Sequence, residues 1–372
     1  MLAEVIRAGS AVAMLCLCGA PLALVWAAEA QPPHEPAAVP VRGLHVFAPA
    51  KKDLAAALAF IREALPKEGV NTLIIEFNYG FDFQSRPGFA DPSALGKAEA
   101  AQLAAACREN GIALIPQINC LGHQSWAERT AKLLTTHPEF DETPGKYPNN
   151  KGIYCRSYCP LHPEVHKVLF ALIGELAAAC EAKAFHVGMD EVFILADPDC
   201  PRCKGKDPAE LFAGEVKALH TYLKSIGCTT WLWGDRFLDA KATGLGKWEA
   251  SDNATAPAAD LVPKDIVVCD WHYRRAPDTP RFFAQKGFPV VACPWRDSKV
   301  ALAHLANIRK LRAEPDQAVA ARGLGVVQTT WCGFAPFLAA YRAQAGGAAP
   351  TKDAPGESAA CFRALFAALR AP

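Results

Sequence analysis

The chain has 372 residues, half of them hydrophobic (51%), so one large core can be buried. Lysine and arginine (39) balance aspartate and glutamate (38), a net charge of +1. No basic excess is left to neutralise phosphates, which argues against nucleic acid or another polyanion as partner. A neutral substrate such as a glycan fits better.

At the N-terminus, Arg7 precedes an apolar run from Ala11 to Ala28, and Ala28 and Ala30 form an A-x-A site. This predicts a signal peptide over 1–30, cleavage after Ala30 and export to the periplasm or beyond. No stable membrane insertion is then expected after cleavage. The competing reading is an uncleaved anchor, since the run approaches spanning length. Pro21 and the A-x-A site favour cleavage. Cys16 and Cys18 each follow a leucine, which a lipobox does not tolerate. Two of the fourteen cysteines lie in this segment. The other twelve would meet an oxidising compartment, so some disulfides are expected.

Residues 31–39 are rich in proline and alanine and read as a linker. Short β-branched runs then alternate with longer alanine- and leucine-rich stretches. Eight strands are predicted: Gly43–Phe47, Thr72–Asn78, Ala113–Asn119, Ala184–Asp190, Thr229–Gly234, Ile266–His272, Pro289–Pro294 and Gly325–Thr330. Helices are predicted at Asp53–Leu65, Lys97–Asn110, Pro163–Cys180, Ala209–Ile226, Thr279–Lys286, Lys299–Arg312 and, last, Ala359–Leu369. Ala240–Asp260 shows no clear periodicity. Regular alternation implies a parallel sheet, and eight repeats imply closure. The predicted fold class is therefore α/β, a (β/α)8 TIM barrel forming one domain over 40–372. No G-x-G-x-x-G follows the first strand, which weakens a dinucleotide-binding alternative.

Polar or aromatic residues end most strands. They are Glu76 and Asn78, Asn119 and His123, Asp190 and Glu191, Trp233 and Asp235, Asp270-Trp271-His272, Trp295 and Asp297, and Trp331. In a barrel these ends converge on the face that carries active sites. The sharpest run is Phe185-His186-Val187-Gly188-Met189-Asp190-Glu191-Val192. Its period of two sends Phe185, Val187 and Met189 toward the outer helices, and His186, Gly188 and Asp190 inward. Glu191 falls where the strand stops and can swing over the mouth. Neighbouring carboxylates in different surroundings can divide acid and base roles. A bare Asp-Glu pair is most often a solvated turn; the apolar strand and Gly188 before it argue for more. A single tryptophan is usually core, but four near strand ends favour a sugar cleft.

These residues resemble family-20 glycoside hydrolases, the β-N-acetylhexosaminidases. His186-Val187-Gly188-Met189-Asp190-Glu191-Val192 resembles the family's H-x-G-G-D-E-V signature. Ile115-Pro116-Gln117-Ile118-Asn119 with Gly122-His123 resembles I-P-E-I-D…G-H, and Arg42-Gly43-Leu44 resembles its R-G-L opening. Trp233, Trp271 and Trp331 fall where the family has pocket tryptophans. The likeness runs over about residues 40–340 in order.

The resemblance implies an exo-acting, retaining, substrate-assisted hydrolase of terminal N-acetylhexosamine that needs no cofactor for catalysis. Asp190 would orient the acetamido group, and Glu191 would act as acid and then base. His123 would support both. Arg42 would hold sugar hydroxyls, and Trp233, Trp271 and Trp331 would line the pocket. Their places at strand ends make Glu76, Asn78, Asp235, Trp295 and Asp297 further substrate-binding candidates. Four departures stand out. Met189 replaces a glycine. Ile75-Glu76-Phe77-Asn78-Tyr79 replaces the strand-two motif. Trp295-Arg296-Asp297 replaces a pocket tyrosine, which is either missing or supplied from elsewhere, with Tyr273 the candidate. Cys332-Gly333 replaces an acidic residue after Trp331. The alternatives are therefore a barrel glycosidase with another sugar specificity, or a non-catalytic carbohydrate-binding barrel.

Cys155-x3-Cys159 and Cys200-x2-Cys203 lie on loops above adjacent strands. They read either as a four-thiolate structural zinc site or as two disulfides bracing the cleft. Other cysteines, such as Cys107 and Cys180, read as buried free thiols.

Overall fold

The computed structural model describes residues 39–371. The predicted signal peptide (1–30) and all of the linker but Val39 lie outside the described residues.

The strands are β1 Val41–Phe47, β2 Thr72–Glu76, β3 Ala113–Cys120, β4 Ala184–Gly188, β5 Thr229–Trp233, β6 Val267–Trp271, β7 Val290–Cys293 and β8 Gly323–Thr329. Each pairs in parallel with the next, and β8 closes on β1, with Arg42 opposite Val326 and His45 opposite Thr329. All eight coincide with the predicted runs, with ends shifted by one or two residues. Valine and isoleucine runs suit strands buried on both faces, as a parallel barrel requires.

The two faces hold two cores. Inside the barrel, Ile74, Ile115, Trp231, Trp233, Val267, Cys269, Trp271, Val291, Cys293 and Val327 pack together. Between strands and helices lies a larger core that includes Leu44, Val46, Phe185, Val187 and Met189. The predicted outward set on β4 is thus in the outer core. His186 points inward, its ring 4.4 Å from that of Trp233.

The outer helices include Lys97–Glu109, Val165–Ala179, Pro208–Ser225, Thr279–Gln285, Ser298–Arg312 and Ala354–Arg370. Asp207 and Asp353 cap two of them, each with proline in the first turn. Ala354–Arg370 begins five residues before the predicted start, at that cap. The helix Phe334–Ala345 was not predicted. Its opening, Gly333-Phe-Ala-Pro336, reads as a loop, yet proline is tolerated in a first helical turn. The aperiodic stretch after β5 contains three four-residue helices, Ala240–Thr243, Gly246–Glu249 and Ala258–Leu261. No helix among the described residues is long and apolar enough to cross a membrane.

The expected disulfides are absent among the described residues: all twelve cysteines are free, and eleven are buried. Several pack as small apolar side chains in the outer core, Cys107 and Cys180 among them.

Candidate active site

The end of β4 is bent sharply. Gly188, Met189 and Glu191 all have left-handed backbone (φ 69°, 72° and 49°). Gly188 must be glycine on two counts, since a Cβ there would lie 2.5 Å from Asn119 Oδ1. Gly122 is required by close approach instead: its Cβ would meet the Asp190 carbonyl at 2.8 Å. Left-handed backbone at non-glycine residues is costly and clusters at functional sites. Here it turns two successive side chains, Asp190 and Glu191, to the same histidine.

That histidine is His123. Its Nε2 lies 3.2 Å from Asp190 Oδ2 and 3.3 Å from Glu191 Oε2. Burial alone would lower its pKa, but the Asp190 charge and the close approach of both carboxylates outweigh burial and hold it well above the ordinary value. A charged His123 thus sits between the two carboxylates.

Asp235, just beyond β5, completes the base of this cluster. Its Oδ2 accepts the Glu191 backbone N–H (2.9 Å) and Arg236 Nε (2.7 Å), and its Oδ1 takes Trp271 Nε1 (3.4 Å). Burial raises its pKa to about 6, against the pull of Arg236 and with the push of Asp190. Asp190, Glu191 and Asp235 thus gather around His123 and Arg236. Tyr154 flanks Glu191 from the segment after β3. Burial first, then the Glu191 charge, raises its pKa, so it stays a neutral donor.

A second polar layer lies at the ends of β1, β2 and β3. Glu76 Oε2 accepts Gln117 Nε2 at 3.0 Å and faces His45 Nε2 at 3.1 Å. Its Oε1 accepts Asn78 Nδ2 at 2.7 Å and Asn119 Nδ2 at 3.0 Å. Beneath the mouth, Trp233 is fully buried against His45, His186 and Trp331. His186 Nδ1 accepts the Gly188 amide, which leaves the proton on Nε2. Buried atoms without hydrogen-bond partners gather here: His45 Nδ1, Gln117 Oε1, His186 Nε2, Asp190 Oδ1 and Trp233 Nε1. Buried polar groups are normally satisfied, so this many on packed neighbours suits a polar ligand.

The aromatic walls come from three strand ends. Tyr273, two residues beyond β6, stacks on Trp271 (5.0 Å) and stands edge-on to Trp295 (5.4 Å). Its hydroxyl accepts Trp331 Nε1 at 2.5 Å. Burial drives its pKa far up, and the Asp190 charge is among the contributors. At the rim, Trp126, Tyr154, Phe193 and Trp248 form a chain of edge-to-face rings 5.0–5.8 Å apart. Trp126 and Trp248 are 54% and 46% exposed. Sequence reasoning missed this rim, because its members lie on long loops and only the Trp126 position follows a recognised motif.

The catalytic-domain model of glycosyl hydrolase family 20 matches residues 89–304. The chain belongs to glycosyl hydrolase family 20. It is 25% identical over 251 residues to a β-hexosaminidase of Vibrio furnissii, covering 66% of this chain and 34% of that one. It is 28% identical over 151 residues to a lacto-N-biosidase of Bifidobacterium bifidum, covering 37% and 12%. It thus spans about a third or less of the length of these relatives. The structure of Flavobacterium johnsoniae chitobiase superposes with a TM-score of 0.60 at 18% identity, over 88% of this chain and 50% of that one.

Not every predicted residue of this family-20 barrel reaches the mouth. Asp190, Glu191, His123, Asp235, Trp233, Trp271, Trp295, Trp331, Glu76 and Asn78 all lie at the C-terminal ends of strands. Arg42 does not. It sits at the N-terminal end of β1, where its guanidinium donates to the Gly69 carbonyl (2.8 Å) and the Val39 carbonyl (3.0 Å). Strand alternation places it outward with Leu44 and Val46, while His45 takes the inward place near the mouth. Asp297 is exposed and caps the helix Ser298–Arg312, accepting the Lys299 and Val300 amides, so its carboxylate is spent on the helix. Asp235 is buried and fully engaged, and holds Glu191 and Trp271 instead of facing a ligand. Trp295 donates its indole N–H to the Thr330 carbonyl (2.7 Å) and offers only its ring. Cys155 is not with the other three cysteines; its thiol donates to the Glu191 carbonyl at 3.5 Å.

Proposed function

We propose that this barrel hydrolyses a terminal N-acetylhexosamine by a substrate-assisted, retaining mechanism. The observation that carries the reading is the shared His123 contact. It holds two carboxylates side by side, one with an unengaged oxygen (Asp190 Oδ1) and one at the rim (Glu191). In the first step the substrate's acetamido oxygen attacks C1 while Glu191 donates a proton to the glycosidic oxygen, which leaves as an alcohol. The oxazolinium so formed carries positive charge beside Asp190, which accepts the acetamido N–H and stabilises that charge. In the second step Glu191, now a carboxylate, takes a proton from water as the water oxygen attacks C1 and the ring opens. Tyr273 is the candidate hydroxyl for the acetamido oxygen, Trp271 and Trp331 supply apolar faces for the sugar, and the buried Trp233 supports Trp331 from beneath. No step requires a cofactor.

One observation favours a narrower reading of specificity. Arg42 is at the wrong end of the barrel and Glu76 is saturated by four neighbours, so the hydroxyls of the sugar are read by other groups. A screen of nitrophenyl glycosides decides between these readings. Turnover of the 2-acetamido sugars and not of glucoside or galactoside is expected. Turnover of a sugar lacking the acetamido group at a comparable rate contradicts substrate assistance. Export is proposed on the N-terminal pattern alone, and detection of Gln31 as the N-terminus of secreted protein tests it.

A further inference from the structure

Three of the four paired cysteines meet, and an unexpected residue takes the fourth corner. Glu142, Cys159, Cys200 and Cys203 are all buried, and one ligand atom of each lies within 4.8 Å of every other. Cys159 Sγ is 3.4 Å from Cys203 Sγ and 3.6 Å from Cys200 Sγ. Thiolates around tetrahedral zinc, at about 2.3 Å from the ion, stand about 3.8 Å from one another. Disulfide sulfurs stand about 2.05 Å apart, and one disulfide would in any case leave a third thiol unused.

Glu142 supplies an independent sign. Its Oε1 accepts the Asp197 amide at 3.2 Å, while Oε2 is buried with no hydrogen-bond partner. An unpaired buried carboxylate is expensive unless a cation meets it. The Cys200–Cys203 turn also points the Cys203 N–H at Cys200 Sγ (3.4 Å), an outer contact that orients a sulfur ligand.

We propose that Glu142, Cys159, Cys200 and Cys203 bind one tetrahedral zinc ion with a structural role. Three thiolates and one carboxylate suit zinc, and four protein ligands leave no position open for substrate or water. On binding, the three thiols release their protons to solvent and nothing is oxidised or reduced. Glu142 and Cys159 come from the segment between β3 and helix Val165–Ala179, and Cys200 and Cys203 from the segment after β4. The ion therefore clamps together the two segments that carry Tyr154 and Glu191. The same segment is braced by the buried Arg156, which pairs with Asp141 and donates to Asn150 (2.6 Å).

The test is metal analysis of the full chain, purified under reducing conditions with zinc supplied. One zinc per chain is expected in the wild type and in Cys155→Ser, and background levels in Cys203→Ala. Glu142→Gln should lose its zinc to a chelator about tenfold faster or more. Where Cys203→Ala fails to fold, mercurial titration of wild type replaces it, with one zinc released as three thiols react. A wild type without stoichiometric zinc overturns the proposal, as does a disulfide among these cysteines in unreduced protein. So does zinc loss in Cys155→Ser or an unchanged release rate in Glu142→Gln. None of these readouts involves hydrolysis, so the proposal fails or stands apart from the proposed activity.

Discussion

Two carboxylate layers lie at the same end of this barrel, and they are built in opposite ways. Glu76, the last residue of β2, is ringed by His45, Asn78, Gln117 and Asn119. Asp190, just beyond β4, meets only His123 through one oxygen and leaves the other without a partner. A saturated carboxylate has nothing left to offer a ligand and serves the fold. A half-engaged one beside a second carboxylate keeps its lone pairs for chemistry. The polarity of a strand end therefore does not mark a functional residue; its unused valence does.

Substitutions should separate the layers. Asp190→Asn should cut kcat by about 10²–10³-fold, the scale of losing one preorganised charge-stabilising group, with little change in thermal stability. Glu76→Ala should do the reverse. It strands four polar side chains and should destabilise the fold by roughly 3 kcal/mol, while kcat per folded molecule stays within about tenfold. Equal losses of kcat in both variants would erase the distinction.

Met189 tests the strained turn that joins the layers. Its left-handed backbone costs on the order of 1 kcal/mol, which glycine would relieve, but its buried side chain is worth about 2–5 kcal/mol. The second effect is the larger, so Met189→Gly should lower stability by about 1–4 kcal/mol in a denaturant titration. A stabilised variant would show that strain dominates here.

The pH dependence of His123 is a smaller effect with a defined sign. Its folded-state pKa is raised, so its contribution to stability is full below the ordinary value of about 6.5. That contribution is lost as pH rises through the raised value. The melting temperature of wild type should thus exceed that of His123→Gln most at pH 6, and the gap should narrow toward alkaline pH. A gap that widens would mean that His123 is neutral in the fold. Smallest is Trp126→Ala at the aromatic rim. KM for an extended glycan should rise a few-fold with kcat unchanged, the loss expected of one exposed stacking contact.

Much of this was legible in the sequence because strand burial leaves a direct imprint. Short β-branched and aromatic runs marked all eight strands, and period two placed His186 inward and Val187 outward. The Asp190–Glu191 pair and His123 stood out through their motifs. What was not legible depends on which end of a strand a residue occupies and on what else it touches. Arg42 and His45 are three residues apart on β1, yet only His45 lies at the mouth. Asp297 looked like a ligand and is a helix cap. Glu142 gave no signal at all, since its association with Cys159, Cys200 and Cys203 is made only by loop packing.

The central claim is that Glu191 passes a proton to the leaving oxygen. The most direct measurement compares Glu191→Gln with wild type on two substrates, a nitrophenyl N-acetylglucosaminide and a disaccharide ending in N-acetylglucosamine. Nitrophenolate leaves readily without a proton, whereas a sugar alkoxide does not. The account predicts a loss of at least ~10²-fold on the disaccharide and a distinctly smaller loss on the nitrophenyl glycoside. Equal losses on both substrates, or an unimpaired disaccharide rate, would contradict it.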